Sequence, residues 1–189
     1  IPRPETEVVA QIAIDALRSS HAERPIAVDL GTGSGAIALS LHVEVPSAQV
    51  YAIEKSEQAF EFTKRNFEKY SGAKLLLGDL ADAFNSLNGS VSVVVSNPPY
   101  IPNSMVPIDP EVHLHEPSLA LYGGDDGLDV IRVLSDVARR LLEPGGSLIV
   151  EHADTQSKMV CELLLAEGWR EVRAHQDLTG KDRAVSAIL

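Results

Sequence analysis

The chain has 189 residues, enough for one domain with a sizeable core and no need of covalent staples. Its 16 Lys and Arg stand against 27 Asp and Glu, a net charge of −11 that argues against a partner bound mainly through phosphates. Hydrophobic residues make up 44%, yet no run approaches the length of a membrane span, so no membrane association is expected.

Apolar residues at Val8, Val9, Ile12, Ile14 and Leu17 predict a helix over Glu5 to Ser19, after a segment bracketed by Pro2 and Pro4. Ile26 to Leu30 reads as a short strand, turned by Gly31-Thr32-Gly33-Ser34-Gly35 into a helix from Ala36 to Val43. A second strand spans Gln49 to Glu54, and Ser56 begins a helix running to about Tyr70. Lys74 to Leu77 and the β-branched run Val91 to Ser96 are the third and fourth strands. Residues Pro102 to Gly127 form a loop rich in Pro, His and Asp, long enough to suggest function. A helix follows from Leu128 to Leu142, then a fifth strand from Ser147 to Glu151 and a helix from Thr155 to Glu167. Trp169 to Ala174 and Ala184 to Leu189 complete the strands. Strands alternating with helices imply one doubly wound α/β domain, its parallel sheet covered on both faces.

The most informative motif is Asn97-Pro98-Pro99-Tyr100, which ends the fourth strand. Two prolines stop a strand, because neither offers an N–H to a sheet ladder. Asn97 precedes a proline and is pushed toward extended geometry. Its carboxamide therefore sits at the carboxyl end of a strand, where open α/β sheets hold ligands. An asparagine, a proline carbonyl and an aromatic ring suit a flat group bearing NH2, either an amide or an exocyclic amine.

Three further strand ends converge on the same crevice. Asp29 and the turn Gly31, Thr32, Gly33, Ser34 and Gly35 let a ligand approach backbone without meeting a Cβ. Glu54 can accept the hydroxyls of a ribose. Asp79 can meet an adenine amino group while Leu80 packs on the ring; otherwise Asp79 caps a short helix near Ala81 to Phe84. Together they describe a methyltransferase using S-adenosyl-L-methionine, since a nicotinamide enzyme leaves Asn97 to Tyr100 without a role. His113-Leu114-His115 has no further metal ligand nearby and reads as loop surface. Glu151-His152 reads as structural, near the crevice floor.

Five segments together are distinctive: Ile1 to Glu7, Asp29 to Leu39, Ser96 to Ile101, Glu116 to Leu121, and Gly124 to Leu128. In them the chain resembles the HemK/PrmC family, the protein-glutamine methyltransferases that modify bacterial peptide chain release factors. The resemblance implies a Rossmann-like class I S-adenosylmethionine-dependent methyltransferase with a seven-stranded, mostly parallel sheet and one reversed strand. It also implies a role in translation termination, with transfer to the glutamine of a Gly-Gly-Gln loop and S-adenosyl-L-homocysteine as product. Asn97, Pro98 and Tyr100 would be catalytic. The substrate would rest on Asn97, Pro98, Pro99, Tyr100, Arg3, Glu5 and Glu116, and the cofactor also on Asn97. Members of the family carry an amino-terminal helical domain. Here the chain opens on Ile1, so residues 1–189 are expected to be the catalytic domain alone. The alternative acceptor is an amino group of adenine or guanine in DNA or RNA, which the acidity disfavours. A single cysteine, Cys161, and no secretory signal fit a reducing cytoplasm, and a monomer is expected.

Overall fold

A computed structural model describes residues 3–70, 72–106 and 117–189. In chain order the elements are α1 (Thr6–Arg18), β1 (Ile26–Leu30), α2 (Ala36–Glu44), β2 (Gln49–Glu54), α3 (Glu57–Phe67), β3 (Lys74–Leu77) and β4 (Val91–Ser96). Then come α4 (Asp129–Leu141), β5 (Leu142–Glu151), α5 (Ser157–Ala166), β6 (Arg170–Gln176) and β7 (Asp182–Ile188). The strands form one sheet in the order β3-β2-β1-β4-β5-β7-β6. All pairings are parallel except those of β7, which runs against both β5 and β6.

Period-two alternation divides the core. Val93 and Val95 of β4 face one side with Ala27 of β1, under Val9, Ala13 and Leu17 of α1 and Ile37 and Leu41 of α2. Val94 points the other way with Val28 and Leu148, against Ile131, Leu134 and Leu141 of α4 and Val160 and Leu164 of α5. All six residues of β4 are buried, as a central parallel strand covered on both faces requires. The α1 stripe recurs every fourth residue, so one face of that helix meets the sheet. No helix among the described residues is long and apolar enough to cross a membrane.

The predicted boundaries hold to within a few residues, with one larger difference. β5 starts at Leu142 rather than Ser147, because Leu142 already pairs with Val91 before a register shift at Val91/Val93. Pro144-Gly145-Gly146, residues that weaken strand interiors, lie beside the shift, where the ladder is irregular.

The chain leaves β1 toward β2 and β3, and later returns through β4 toward β5. The order therefore reverses between β1 and β4, and the carboxyl ends of these strands border the ligand crevice of this topology. Beyond the last paired residues, Asp29 and Val95, the buried Ser96 Oγ donates to the Leu30 carbonyl at 2.6 Å. This bond fixes the base of Asn97 next to the glycine turn. Ser96→Ala is expected to lower unfolding free energy by about 1–2 kcal/mol in urea denaturation, the worth of one buried hydrogen bond; an unchanged midpoint would contradict that role.

Candidate active site

The turn after β1 is built from backbone. Gly31, Gly33 and Gly35 all have positive φ, a conformation that disfavours any side chain. The Gly31 and Thr32 amides both donate to the Ile53 carbonyl at the end of β2. A Cβ added at Gly31 or Gly33 would meet nothing within 4 Å, so open space lies over the turn. Gly35 is different, since a Cβ there would sit 2.6 Å from the Phe67 ring. Two of the glycines thus border a cradle and the third serves contact with α3.

That helix braces the turn from below, through residues that motif reading did not find. Thr63 Oγ1 donates to the Gly33 carbonyl, and Asn66 Nδ2 donates to the Ser34 carbonyl at 2.9 Å. Ser56, predicted to start this helix, caps it by accepting from the Ala59 amide. Spacing alone carries no signal that Thr63 and Asn66 turn toward a loop some thirty residues earlier.

Two carboxylates hold the same turn. Glu54, buried at the end of β2, accepts from the Gly33 amide and the Ser56 amide, both at 2.8 Å. It is not the solvated strand end that the following Lys55-Ser56 would otherwise suggest. Asp29 is 1% exposed, and its Oδ2 accepts from Thr32 Oγ1 at 2.6 Å and the Ala38 amide at 3.1 Å. Its Oδ1 has no hydrogen-bond partner among the described residues. Burial pushes the Asp29 carboxyl up to about 6, against the opposing bonds from Thr32 and Ala38 and with a smaller push from Glu54.

Asp79 takes the capping role weighed from its sequence position. It is the N-cap of a short helix, Leu80–Asp82, accepting from the Ala81 amide at 3.0 Å, and its other oxygen pairs with Lys55 at 2.7 Å. Lys55 and the capping amide hold its carboxyl below the usual range. Leu80 is half-buried against the core on the α4 side.

On the far side of the crevice, Asn97 is half-buried and its Nδ2 donates to Thr6 Oγ1 at the start of α1, at 3.3 Å. Pro98 is buried, and Pro99 and Tyr100 are half-buried. The segment is locked from behind. Ile101 donates to the Leu121 carbonyl, Gly123 donates back to Ile101, and Gln156 Nε2 donates to the Tyr100 carbonyl at 2.8 Å. Gly127 lies so close that a Cβ would fall 2.3 Å from the Tyr100 carbonyl oxygen, at a φ of +78°. Gln156 is 5% exposed and carries no sequence signal, since it falls inside the helix expected from Thr155; the structure places it as the N-cap of α5.

Arg3 and Glu5 lie near enough to act electrostatically on Tyr100 and Glu151. Burial drives the Tyr100 hydroxyl up to about 12, aided by Glu151, so the ring is neutral at physiological pH. Glu151 and His152 are both wholly buried at the end of β5. Burial holds the His152 imidazole below its ordinary value. Glu116, His113 and His115 lie outside the described residues, and no group of metal-ligating side chains occurs among those described. Cys161 is half-buried against the core, which pushes its thiol up. A cavity of about 330 Å³ lined by Arg24, His42, Tyr51 and Lys74 lies instead at the amino ends of β2 and β3, away from the glycine turn.

A seven-stranded sheet with one reversed strand, a glycine turn after β1 and an Asn-Pro-Pro-Tyr tip on β4 define a Rossmann-like class I methyltransferase. Residues 6–108 match the family model described as the methyltransferase small domain. A release factor glutamine methyltransferase of Streptomyces coelicolor is 50% identical over 99% of this chain and 67% of its own length. A 4-amino-L-phenylalanine/4-methylamino-L-phenylalanine methyltransferase of Streptomyces pristinaespiralis is 41% identical, over all of this chain and 65% of the relative. Among solved structures, a release factor-specific protein-(glutamine-N5) methyltransferase from Alicyclobacillus acidocaldarius superposes with a TM-score of 0.60 at 28% identity, covering 100% of this chain and 93% of that one. The chain belongs to the release factor glutamine methyltransferase family, and it spans about two thirds of the length of the curated relatives it matches.

Asp29 makes a pH-dependent contribution to stability. Its folded pKa, about 6, lies above the ordinary aspartate value of 3.8, so between these limits the folded chain holds a proton that the unfolded chain has released. Stability therefore falls as pH rises from about 4 to about 6, by up to about 3 kcal/mol. Asp29→Asn is expected to be more stable than the parent at pH 7 in urea denaturation, and the gap is expected to close in acid below pH 4. A parent curve that rises through this window relative to the variant would refute the assignment.

Proposed function

We propose that this chain is the catalytic domain of a release factor glutamine methyltransferase, transferring a methyl group from S-adenosyl-L-methionine to the side-chain amide nitrogen of the Gly-Gly-Gln glutamine. The observation that carries this reading is the Asn97-Pro98-Pro99-Tyr100 tip, fixed on the central strand beside the glycine turn, in a chain alike over its whole length to enzymes of that name.

The site fits the cofactor. The open space over Gly31 and Gly33, with Asp29 Oδ1 left without a partner, suits a ligand laid against the turn. On this reading Asp29, Gly31, Thr32, Gly33, Ser34 and Gly35 hold its amino-acid end, Glu54 the ribose hydroxyls, and Asp79 with Leu80 the adenine. When bound, the sulfonium supplies an electrophilic methyl carbon and leaves as S-adenosyl-L-homocysteine.

The protein's own task is positioning. A carboxamide nitrogen is a poor nucleophile because its lone pair is delocalised into the carbonyl. Asn97 Oδ1 and the Pro98 carbonyl accept its two N–H groups and fix its direction, a gain of several kcal/mol in favourable cases. Tyr100, neutral and held by Gln156 through its carbonyl, packs against the flat amide. Pro99, Arg3 and Glu5 border the mouth that receives the glutamine loop, and Glu116 keeps the substrate-binding part that its sequence segment implies. The proton leaves after transfer, when the nitrogen has become acidic, so no strong base is needed. The enzyme works as a monomer in the cytoplasm, without nucleic acid.

The Streptomyces pristinaespiralis relative favours a second acceptor, a primary arylamine, since the same two acceptors grip any NH2 group. Incubation with release factor, 4-amino-L-phenylalanine, DNA and RNA in turn, followed by mass spectrometry, separates the acceptors. Methylation of release factor glutamine is expected. Activity confined to the amine or to nucleic acid would overturn the proposal. Asn97→Ala is expected to cut the rate about 100-fold, well beyond any loss of S-adenosyl-L-homocysteine affinity from its cofactor contact; an unchanged rate would sink the mechanism.

A further inference from the structure

Glu151 has no role in the reaction as derived, yet its placement is costly. It is 0% exposed at the end of β5, and neither carboxylate oxygen has a hydrogen bond of regular geometry. Buried carboxylates without partners are strongly disfavoured. Its surroundings come from four elements. They are the Thr6 hydroxyl of α1, Arg183 of β7, Arg3 and Glu5 before α1, and Tyr100 beyond β4. β4 and β5 pair up to Ser96 and Val150, so Asn97 and Glu151 are the next residues on neighbouring strands.

Thr6 lies within reach of both. Its Oγ1 accepts from Asn97 Nδ2 at 3.3 Å. Although no hydrogen bond joins it to Glu151 in this geometry, its hydroxyl is near enough to lower the Glu151 carboxyl's pKa. A hydroxyl has one hydrogen and two lone pairs. With Glu151 ionised, that hydrogen is drawn to the carboxylate and Thr6 faces Asn97 only as an acceptor. The carboxamide must then turn its NH2 toward Thr6, leaving Oδ1 for the substrate. With Glu151 protonated, the carboxyl can donate to Thr6, whose own hydrogen is free to bond Oδ1. The flipped amide would present NH2 to a substrate NH2, donor against donor.

We propose that Glu151 and Thr6 are positioning residues that orient the Asn97 carboxamide, the buried carboxylate keeping Thr6 an acceptor so that Oδ1 is the atom offered to the incoming amide. This rests on the reading of Asn97 as the substrate clamp. It gives the threonine of the Arg3-Pro4-Glu5-Thr6 segment a task that a helix start does not need. Burial drives the Glu151 carboxyl up to about 7, with Glu5 adding to it and Thr6, Arg183 and Arg3 opposing, so the switch falls near neutrality. Tyr100, at about 12, does not titrate in that range.

The test needs no cofactor. In nitrogen-labelled protein, the Asn97 side-chain amide signal, assigned by its loss in Asn97→Ala, is expected to shift with a midpoint near neutrality and to lose that shift in Glu151→Gln. In the methylation assay, Glu151→Gln and Thr6→Val are each expected to slow transfer about tenfold or more, with S-adenosyl-L-homocysteine affinity retained as the check on folding. Thr6→Ser is expected to restore most of the loss. The double variant is expected to be no slower than the slower single, because both act through one amide. A shift that persists in Glu151→Gln, or losses that multiply, would overturn the relay. If the parent titrates as expected but leaves release factor unmodified, the relay stands and the substrate reading fails; if it methylates while the amide signal never moves, the reverse holds.

Discussion

One hydrogen bond, from Ser96 Oγ to the Leu30 carbonyl, joins the two strand ends on which the site depends. The sheet order reverses between β1 and β4, so the crevice opens where their ladder stops. Parallel strands diverge beyond their last paired residues unless something holds them. The buried serine supplies that hold, and a glycine turn and an asparagine separated by 66 residues become neighbours. Every chemical role proposed for Asn97 presupposes this adjacency.

Around it the protein saturates the backbone of a turn that must remain open to a ligand. The carbonyls of Gly33 and Ser34 are taken by Thr63 and Asn66, and the Gly33 amide by Glu54. Such bracing limits the ordering cost when a ligand binds, which is the physical basis of preorganisation. The Asn-Pro-Pro-Tyr side is treated in the same way, with Gln156 and the strand-like contact at Ile101 and Tyr122 fixing the backbone. Two rigid walls converge on one crevice. Buried carboxylates, Asp29 in one wall and Glu151 at the floor, are left incompletely bonded. Both are held well above ordinary carboxyl values, the kind of perturbation that clusters at functional sites.

Much of the architecture was legible in the residues, for identifiable reasons. The run Val91 to Ser96 is valine-rich and buried throughout because both faces of β4 are covered, and two prolines mark its end without ambiguity. The glycine turn announced itself through conformations only glycine adopts readily. Harder to see was the start of β5, where Pro144-Gly145-Gly146 signals a break and a register shift accommodates it. Asp79 caps the short helix after β3, since the amide it needs is two residues away, while its proposed contact with adenine rests on its place at the strand end.

Local patterning by itself determined the alternation of strands and helices, the parallel sheet and the strand tips that carry Asn97, Glu54 and the glycines. These follow from periodicity, proline and glycine, which act over a few residues. The tertiary structure alone decided that Thr63, Asn66 and Gln156 are spent on distant carbonyls, and that Asn97 bonds Thr6 at the start of α1. Such contacts join polar side chains far apart in the chain, and a lone Thr, Asn or Gln leaves no mark of its partner until packing brings the two together.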